Sequence, residues 1–260
     1  MNRYAASLAN WPGGKTSNRR KAGLPAHAVH SNRMLPLDTP IWTALTTKQA
    51  QHAQSTALAR RFPPEMTLLG ALAANTAMAF DSLAQLIQRD PVTLYFTSAP
   101  QIPAGWEIVR AVELHQMVQE TEGPPAANSV AAEVIELTPA DVPEMSAVYV
   151  ATRPGRTLCP RIQKLGPFLG IREEGKLVAM GGLRLHIAGY REITTVATLP
   201  DHAGRGYATA IVRSLIERIR SRGDRPFLTV GTSNTRAIEI YRRLGFRERT
   251  QLYSRTIKRG

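Results

Sequence analysis

Cysteine is almost absent from this sequence, because Cys159 is the only one among 260 residues. An intrachain disulfide and a thiolate metal cluster both need several cysteines, so neither can form, and no metal site is expected. So little cysteine is typical of proteins in a reducing compartment, which predicts a cytoplasmic location. A catalytic thiol would need an activating partner, and an unreactive thiol is the simpler interpretation of Cys159.

Long apolar runs are missing as well. No stretch approaches the ~20 apolar residues that span a bilayer, so no membrane partner is expected. Acidic residues are few: 20 Asp and Glu face 33 Lys and Arg, which leaves a net charge of +13. Such a charge attracts polyanions, but the arginines are spread along the chain and no nucleic-acid reader motif is present. Nucleic acid is therefore not the expected partner.

Composition divides the chain into three parts. The first 33 residues hold six basic residues and no acid, which predicts a loose basic tail. A transit peptide has the same composition, and a translation start assigned upstream of Met34 is another interpretation. The run at 121–128 breaks every periodicity and predicts a linker. The expected domains are an N-terminal α/β domain at 34–125 and a second domain at 130–260.

Apolar periodicity predicts the secondary structure of both domains. In the first it indicates helices at 40–58 and 80–87 and strands at 92–97 and 106–109. After residue 130 the predicted order is β-α-β-β-β-α-β-α-β. Hairpins in that order indicate an α+β fold with a mostly antiparallel sheet.

The most informative segment is 203–208, Ala-Gly-Arg-Gly-Tyr-Ala. It follows a β-branched run at 192–198 and precedes an amphipathic helix. A strand that turns through glycines into a helix presents backbone N–H groups and the positive end of the helix dipole, which together bind phosphate. Glycine is needed there because a Cβ would block close approach or forbid positive φ. The segment therefore predicts a phosphorylated ligand.

Two common nucleotide motifs do not fit this loop. A dinucleotide fingerprint needs a third glycine, and Thr209 stands at that position. A P-loop needs Gly-Lys-Ser or Gly-Lys-Thr, and neither follows. The upstream hairpins also argue against a doubly wound parallel sheet.

Two motifs carry a resemblance to a known family. The loop at 204–208 resembles the acyl-CoA pyrophosphate loop of the GNAT superfamily of N-acetyltransferases. The run from Asn234 to Phe246 resembles that superfamily's C-terminal signature, in the right order and spacing. Segments at 189–193, 226–228 and 37–45 also resemble a bacterial subgroup allied to glycine N-acyltransferase-like proteins. The resemblance covers nearly everything past residue 34, and it implies a GNAT-type sheet flanked by helices, with residues 34–125 as a degenerate GNAT-like half.

The resemblance implies acetyl-CoA as the acyl-donor substrate. The superfamily loop commonly begins with Gln or Arg, whereas Ala203 stands here. Backbone amides would hold the pyrophosphate, and a β-strand edge would hydrogen-bond the pantetheine arm. Either Arg205 or Arg236 could meet the 3′-phosphate. The implied acetyl-CoA contacts are Val196, Ala197, Thr198, Ala203, Gly204, Arg205, Gly206, Tyr207, Ala208 and Asn234, the last of which is equally explained as a helix cap.

The resemblance also suggests catalytic roles. Tyr241 stands where the superfamily often protonates the leaving thiolate, and a core tyrosine is the alternative. Glu192 is the candidate base, since strand alternation would place it on one face with Thr194 and Val196. The alternative is a glutamate that faces solvent or an arginine. Arg153 lies in a loop that borders the acceptor site in this fold and is a candidate for holding a carboxylate.

The implied function is N-acetyl transfer from acetyl-CoA to a primary amine by direct attack in a ternary complex. A small molecule or a peptide could supply that amine, and GNAT domains often form homodimers. A non-catalytic acyl-CoA-binding or regulatory module is the alternative. A nucleic-acid-associated protein that uses the +13 charge is a third interpretation.

Overall fold

The structure is a computed structural model that describes residues 35–88, 90–121 and 132–260. The predicted tail at 1–33 and all but the first residue of the predicted linker at 121–128 lie outside the described residues. The described residues belong to one compact unit.

Five α-helices and eleven strands make up the described chain. The helices are α1 (Pro40–Thr46), α2 (Ala77–Ala84), α3 (Val142–Thr152), α4 (Tyr207–Arg220) and α5 (Thr235–Arg243). The first six strands are β1 (Gln54–Ser55), β2 (Ala59–Arg61), β3 (Gly70–Leu72), β4 (Val92–Phe96), β5 (Trp106–Gln119) and β6 (Ile135–Leu137). The remaining strands are β7 (Phe168–Glu173), β8 (Lys176–Ile187), β9 (Tyr190–Thr198), β10 (Arg225–Gly231) and β11 (Phe246–Arg259). Short 3₁₀ turns cover Ala50–His52, Pro139–Asp141, Ile162–Leu165 and Pro200–His202.

An eight-stranded sheet with the order β4-β11-β5-β10-β9-β8-β7-β6 organises the molecule. Its pairs are antiparallel except β9 with β10, which run parallel. From β6 to β11 the elements follow the predicted order β-α-β-β-β-α-β-α-β. The predicted α+β class with a mixed, mostly antiparallel sheet is therefore confirmed.

The division into two domains is wrong. Strands β4 and β5 come from the predicted first domain, yet β5 lies between β10 and β11 in the centre of the sheet. Residues 35–121 supply only a small three-stranded sheet of their own, β1-β2-β3. The long ladder from Trp106 to Gln119 along β11 joins the two segments because it satisfies the backbone groups of both strands.

Helices cover both faces of the large sheet. Alternate side chains of β10 show the two layers: Leu228 joins the core beneath α4 and α5, while Phe227 joins the core that includes α1. Helix α3 packs over β8 and β9, and its Met145 and Val148 belong to the same buried cluster as Phe168 of β7. None of the helices in the described ranges is long and apolar enough to cross a membrane.

A bulge interrupts β9 at Thr195, whose φ is +56°. Gly182 pairs with Thr194 and Met180 with Ala197, so three steps along β9 oppose two along β8. As a result Ile193 and Val196, three residues apart, both pack in the core beneath α4. The expectation that Glu192, Thr194 and Val196 share one face is therefore wrong.

Candidate functional site

The glycine loop between β9 and α4 has the predicted conformation. Gly204 and Gly206 have φ values of +86° and +84°, which residues with a Cβ rarely adopt. The first backbone hydrogen bond of α4 runs from the Ala210 N–H to the Gly206 carbonyl at 3.0 Å. The N–H groups of Tyr207 and the next two residues therefore have no partner within the helix. These donors and the helix dipole give this end of α4 the groups that an anion would bind.

A carboxylate lies against this loop. Glu173, at the end of β7, accepts a hydrogen bond from the Tyr207 hydroxyl and lies 3.0 Å from an Arg205 guanidinium nitrogen. His202 Nδ1 lies 2.7 Å from the same carboxyl group. Its neighbour Glu174, at the turn between β7 and β8, is exposed. The contacts of Glu173 have no local signal in the sequence, because they depend on the hairpin folding back onto the loop.

A cleft opens between the parallel strands β9 and β10. Tyr190–Ile193 pairs with Arg225–Leu228, and beyond this point the two strands continue without pairing to each other within the described part of the chain. Their facing edges, Thr194–Thr198 and Thr229–Gly231, thus present backbone donors and acceptors at the carboxyl ends of two parallel strands. An extended ligand could add to such an edge as a further strand.

Arg153 reaches this cleft from the end of α3. One guanidinium nitrogen donates to the Val196 carbonyl at 2.9 Å and another to the Thr152 hydroxyl at 3.1 Å. The guanidinium also lies 5.0 Å from the centre of the Tyr149 ring. One of the backbone groups assigned to pantetheine is therefore hydrogen-bonded to Arg153.

Tyr241 projects from α5 into the core beneath α4 and packs edge-on against Phe246, with ring centres 5.9 Å apart. Burial raises the pKa of Tyr241 to about 12, although the nearby Arg153 charge acts in the opposite direction. The hydroxyl therefore keeps its proton at neutral pH, as a general acid requires. Arg153 connects two predicted site residues, because it contacts Val196 and lies close enough to Tyr241 to influence its ionisation.

Glu192 lies on the other face of the sheet and is completely buried. Arg184 donates to both of its carboxylate oxygens at 2.9 Å, and the Thr229 hydroxyl lies 3.4 Å away. Burial lowers the pKa of Arg184, but the Glu192 carboxylate and Tyr95 together raise it by more, so the guanidinium stays charged. Of the arrangements considered for Glu192, the structure shows the one in which the glutamate faces an arginine. No local signal reveals this pair, because the β8–β9 register shifts near it.

The other candidates can be placed briefly. The Asn234 side chain accepts a hydrogen bond from the Ala237 N–H at 3.2 Å, which confirms that it caps α5. Burial raises the pKa of the Cys159 thiol, which makes it a poor nucleophile. Among the described residues, no cluster of three or more His, Cys, Asp or Glu could hold a metal ion.

The fold, the splayed strands and the glycine loop define the class of protein. A family model for FR47-like proteins matches residues 168–254. A solved structure of a GCN5-related N-acetyltransferase from Kribbella flavida shares the fold, with a TM-score of 0.59 and 13% identity over 85% of this chain and 95% of that one. The architecture is therefore that of the GNAT fold.

A more similar structure establishes the family. A GNAT-family protein from Novosphingobium aromaticivorans DSM 12444 is 31% identical, with a TM-score of 0.78, over 87% of this chain and all of that one. The chain belongs to the GNAT family.

Two curated relatives agree over shorter stretches. An uncharacterized N-acetyltransferase of Methanocaldococcus jannaschii is 46% identical over 59 residues, or 22% of this chain and 26% of that protein. An uncharacterized N-acetyltransferase of Bacillus subtilis is 30% identical over 80 residues, or 30% of this chain and 32% of that protein. The matches thus span about a quarter and a third of the curated relatives.

Proposed function

We propose that this protein transfers an acetyl group from acetyl-CoA to a primary amine by direct attack in a ternary complex. One observation carries the proposal: within the described residues, the edges of β9 and β10 face each other unpaired, and β9 leads into the glycine loop that caps α4. The edge would hold the pantetheine arm, and the loop would hold the pyrophosphate. The proposed contacts are those expected from the sequence: Val196, Ala197, Thr198, Ala203, Gly204, Arg205, Gly206, Tyr207, Ala208 and Asn234.

The proposed reaction needs one proton donor at the leaving sulfur. The amine nitrogen attacks the thioester carbonyl carbon, the carbon–sulfur bond breaks, and the Tyr241 hydroxyl protonates the thiolate. The amine loses its proton to water, from which Tyr241 is reprotonated. With a pKa raised to about 12, the Tyr241 hydroxyl is fully protonated in the working pH range and therefore has a proton to give.

We infer a different role for Glu192 from the one expected. Glu192 is completely buried and both of its oxygens are held by Arg184, so accepting a further proton would break that ion pair. Glu192 is therefore proposed to position β9 beside the cleft rather than to act as the base. Three further expectations are predictions from the sequence: membership of the glycine N-acyltransferase-like subgroup, a homodimer and a cytoplasmic location.

The proposal is tested by measuring the rate at which free thiol is released from acetyl-CoA in the presence of pooled primary amines. The proposal is supported if thiol release depends on the amine and if Tyr241→Phe slows it at least tenfold. Tyr253→Phe, on β11, is the matched control. Acetyl-CoA binding without amine-dependent release would instead identify the alternative, a non-catalytic acyl-CoA-binding module. Absence of acetyl-CoA binding would reject both.

A further inference from the structure

Basic side chains from separate segments meet at the end of the large sheet where β9 and β10 begin. Arg225 pairs with Tyr190 at the start of the parallel ladder, and its N–H donates to the Gly189 carbonyl at 2.9 Å. The turn after α1 reaches the same end, because the buried Gln49 side chain accepts a hydrogen bond from the His186 N–H at 3.0 Å. We call the side chains gathered there the basic cluster; they are Lys48, His186, Arg191, Arg222 and Arg225.

The charges of the basic cluster act on one another. Burial is the main reason that the pKa of Arg191 falls to about 10, and the Arg222 charge lowers it as well. Burial also lowers the pKa of His186, and the charges of Arg191 and Lys48 act in the same direction. Asp224 opposes both shifts, and its carboxylate lies 3.1 Å from His186 Nε2. Like charges held this close repel one another, and a bound anion would relieve the repulsion.

Acidic side chains do not balance the basic cluster. Among the described residues, no carboxylate forms an ion pair with Lys48, Arg222 or Arg225, and all three are exposed. Glu192 acts on Arg191, but both of its oxygens are already held by another arginine. This end of the sheet therefore presents a surface of net positive charge.

The layout and chemistry of this surface fit a nucleic acid strand. Lys48 stands on one turn, and Arg222 and Arg225 stand on another, so the exposed charges are spread over the surface as phosphates are along a strand. Arginine binds phosphate through two parallel hydrogen bonds. The Arg225 guanidinium also lies 5.7 Å from the centre of the Tyr190 ring. Aromatic and guanidinium planes are the groups on which unpaired bases stack.

We propose that the basic cluster binds single-stranded nucleic acid, with Lys48, Arg222 and Arg225 on its phosphates and Tyr190 beside a base. The strands β9 and β10 run from this surface to the cleft, so nucleic acid and acetyl-CoA would occupy opposite ends of the same two strands. The inference does not depend on the proposed acetyl transfer. The sequence carries no motif for this surface, because its residues come from three segments that only folding brings together.

Fluorescence anisotropy with the full chain tests the proposal. The probes are a labelled, unstructured RNA of about 20 nucleotides and a DNA of the same sequence. We expect the affinity to fall with salt, with a log–log slope of about −2 or steeper, because each of three phosphates contributes about 0.7. Binding of either strand with that slope supports the proposal, and a preference for one of them identifies the natural ligand. Excess acetyl-CoA should change the affinity less than about threefold, because the glycine loop lies at the other end of β9.

Variants then connect the binding to the basic cluster. Arg222→Gln combined with Arg225→Gln should weaken binding at least about tenfold at about 0.15 M salt and make the slope shallower by about 1.4. Arg242→Gln combined with Arg243→Gln is the matched control, because it removes the same charge from exposed positions on α5 and should weaken binding less than about threefold. Asp224→Asn should raise the affinity severalfold, because it removes an acid from the surface. A damaged fold cannot produce such a gain, and thermal unfolding checks the other variants.

Several results would overturn the proposal. Equal losses in the two double variants would assign the binding to net charge alone, and competition by acetyl-CoA would place the strand at the glycine loop. Equally tight binding of polyglutamate would indicate an acidic protein as the partner, and tighter binding to vesicles rich in phosphatidylserine would indicate a membrane surface. The absence of binding to either strand at about 0.05 M salt would reject the site outright.

Discussion

Arg184 holds both carboxylate oxygens of Glu192 at 2.9 Å, and the glutamate side chain is entirely shielded from water. The pair joins β8 to β9 just before the cleft opens. Buried ion pairs contribute little over an apolar pair of similar size, but removing one partner leaves an uncompensated charge. The stability of the site therefore depends on the pair as a unit.

Glu192→Gln should lower the free energy of unfolding by about 3–5 kcal/mol, because the buried Arg184 charge loses its counter-ion. Urea unfolding measures this change. Glu174→Gln, at the exposed hairpin turn, is the control and should cost about 0.5 kcal/mol or less. Activity that survives in the folded variant should keep the pH profile of the wild type. Loss of the acidic limb of that profile would show that Glu192 is the base after all.

Tyr241→Phe should lower kcat by at least about tenfold while leaving KM for acetyl-CoA nearly unchanged, because only the proton for the leaving thiolate is lost. The wild-type rate should show no loss from ionisation of Tyr241 until the pH approaches 12. A rate that falls in step with a tyrosine of ordinary pKa would contradict this assignment.

The same tyrosine should make the fold sensitive to alkali. The pKa of Tyr241 is raised above the usual 10.0, so its contribution to stability is complete below pH 10 and is lost as the pH rises toward about 12. Urea midpoints between pH 9 and 12 should therefore fall more steeply for the wild type than for Tyr241→Phe. Parallel curves would show that burial does not perturb this hydroxyl.

Gly206→Ala should weaken acetyl-CoA binding about tenfold, because a residue with a Cβ resists the left-handed conformation that opens α4. Gly223→Ala is a matched control: its φ is +79°, nothing lies within 4 Å of the added Cβ, and it follows the other end of the same helix. Both substitutions should cost about 1–2 kcal/mol of stability. Calorimetric titration measures the affinity of each variant for acetyl-CoA. Equal affinities for Gly206→Ala and Gly223→Ala would show that the loop does not bind the pyrophosphate.

Glu173→Gln should raise the affinity for acetyl-CoA severalfold at low ionic strength. The carboxylate neutralises Arg205 and adds negative charge beside the proposed pyrophosphate site, so its removal makes the loop more positive. The gain should disappear at high salt, where screening is strong. A lower affinity for acetyl-CoA in Glu173→Gln would show that Glu173 is needed mainly to hold the loop in shape. Glu174→Gln is the control for the hairpin.

Local signals in the sequence were reliable where they depend on neighbouring residues. Asn234 caps α5, and the glycines at 204 and 206 have positive φ, because both features are set within a few residues. The predicted helix at 40–58 was wrong: α1 ends at Thr46, and the following residues form a turn and two short strands. Apolar residues in a mixed segment fit either element, and packing against the large sheet selects between them.

The order of elements after residue 130 and the conformation of the glycine loop could be read from the sequence, since they depend on periodicity and on backbone freedom. The family was indicated by the resemblance of two motifs and shown by the Novosphingobium structure. The place of β5 in the centre of the same sheet came from the folded structure alone, because strand neighbours far apart in the chain leave no local pattern. The folded structure also decided that Glu192 faces Arg184 and that the Thr195 bulge turns Val196 toward α4. A shift in strand register changes the face on which a side chain lies, and register is set by partners elsewhere in the sheet.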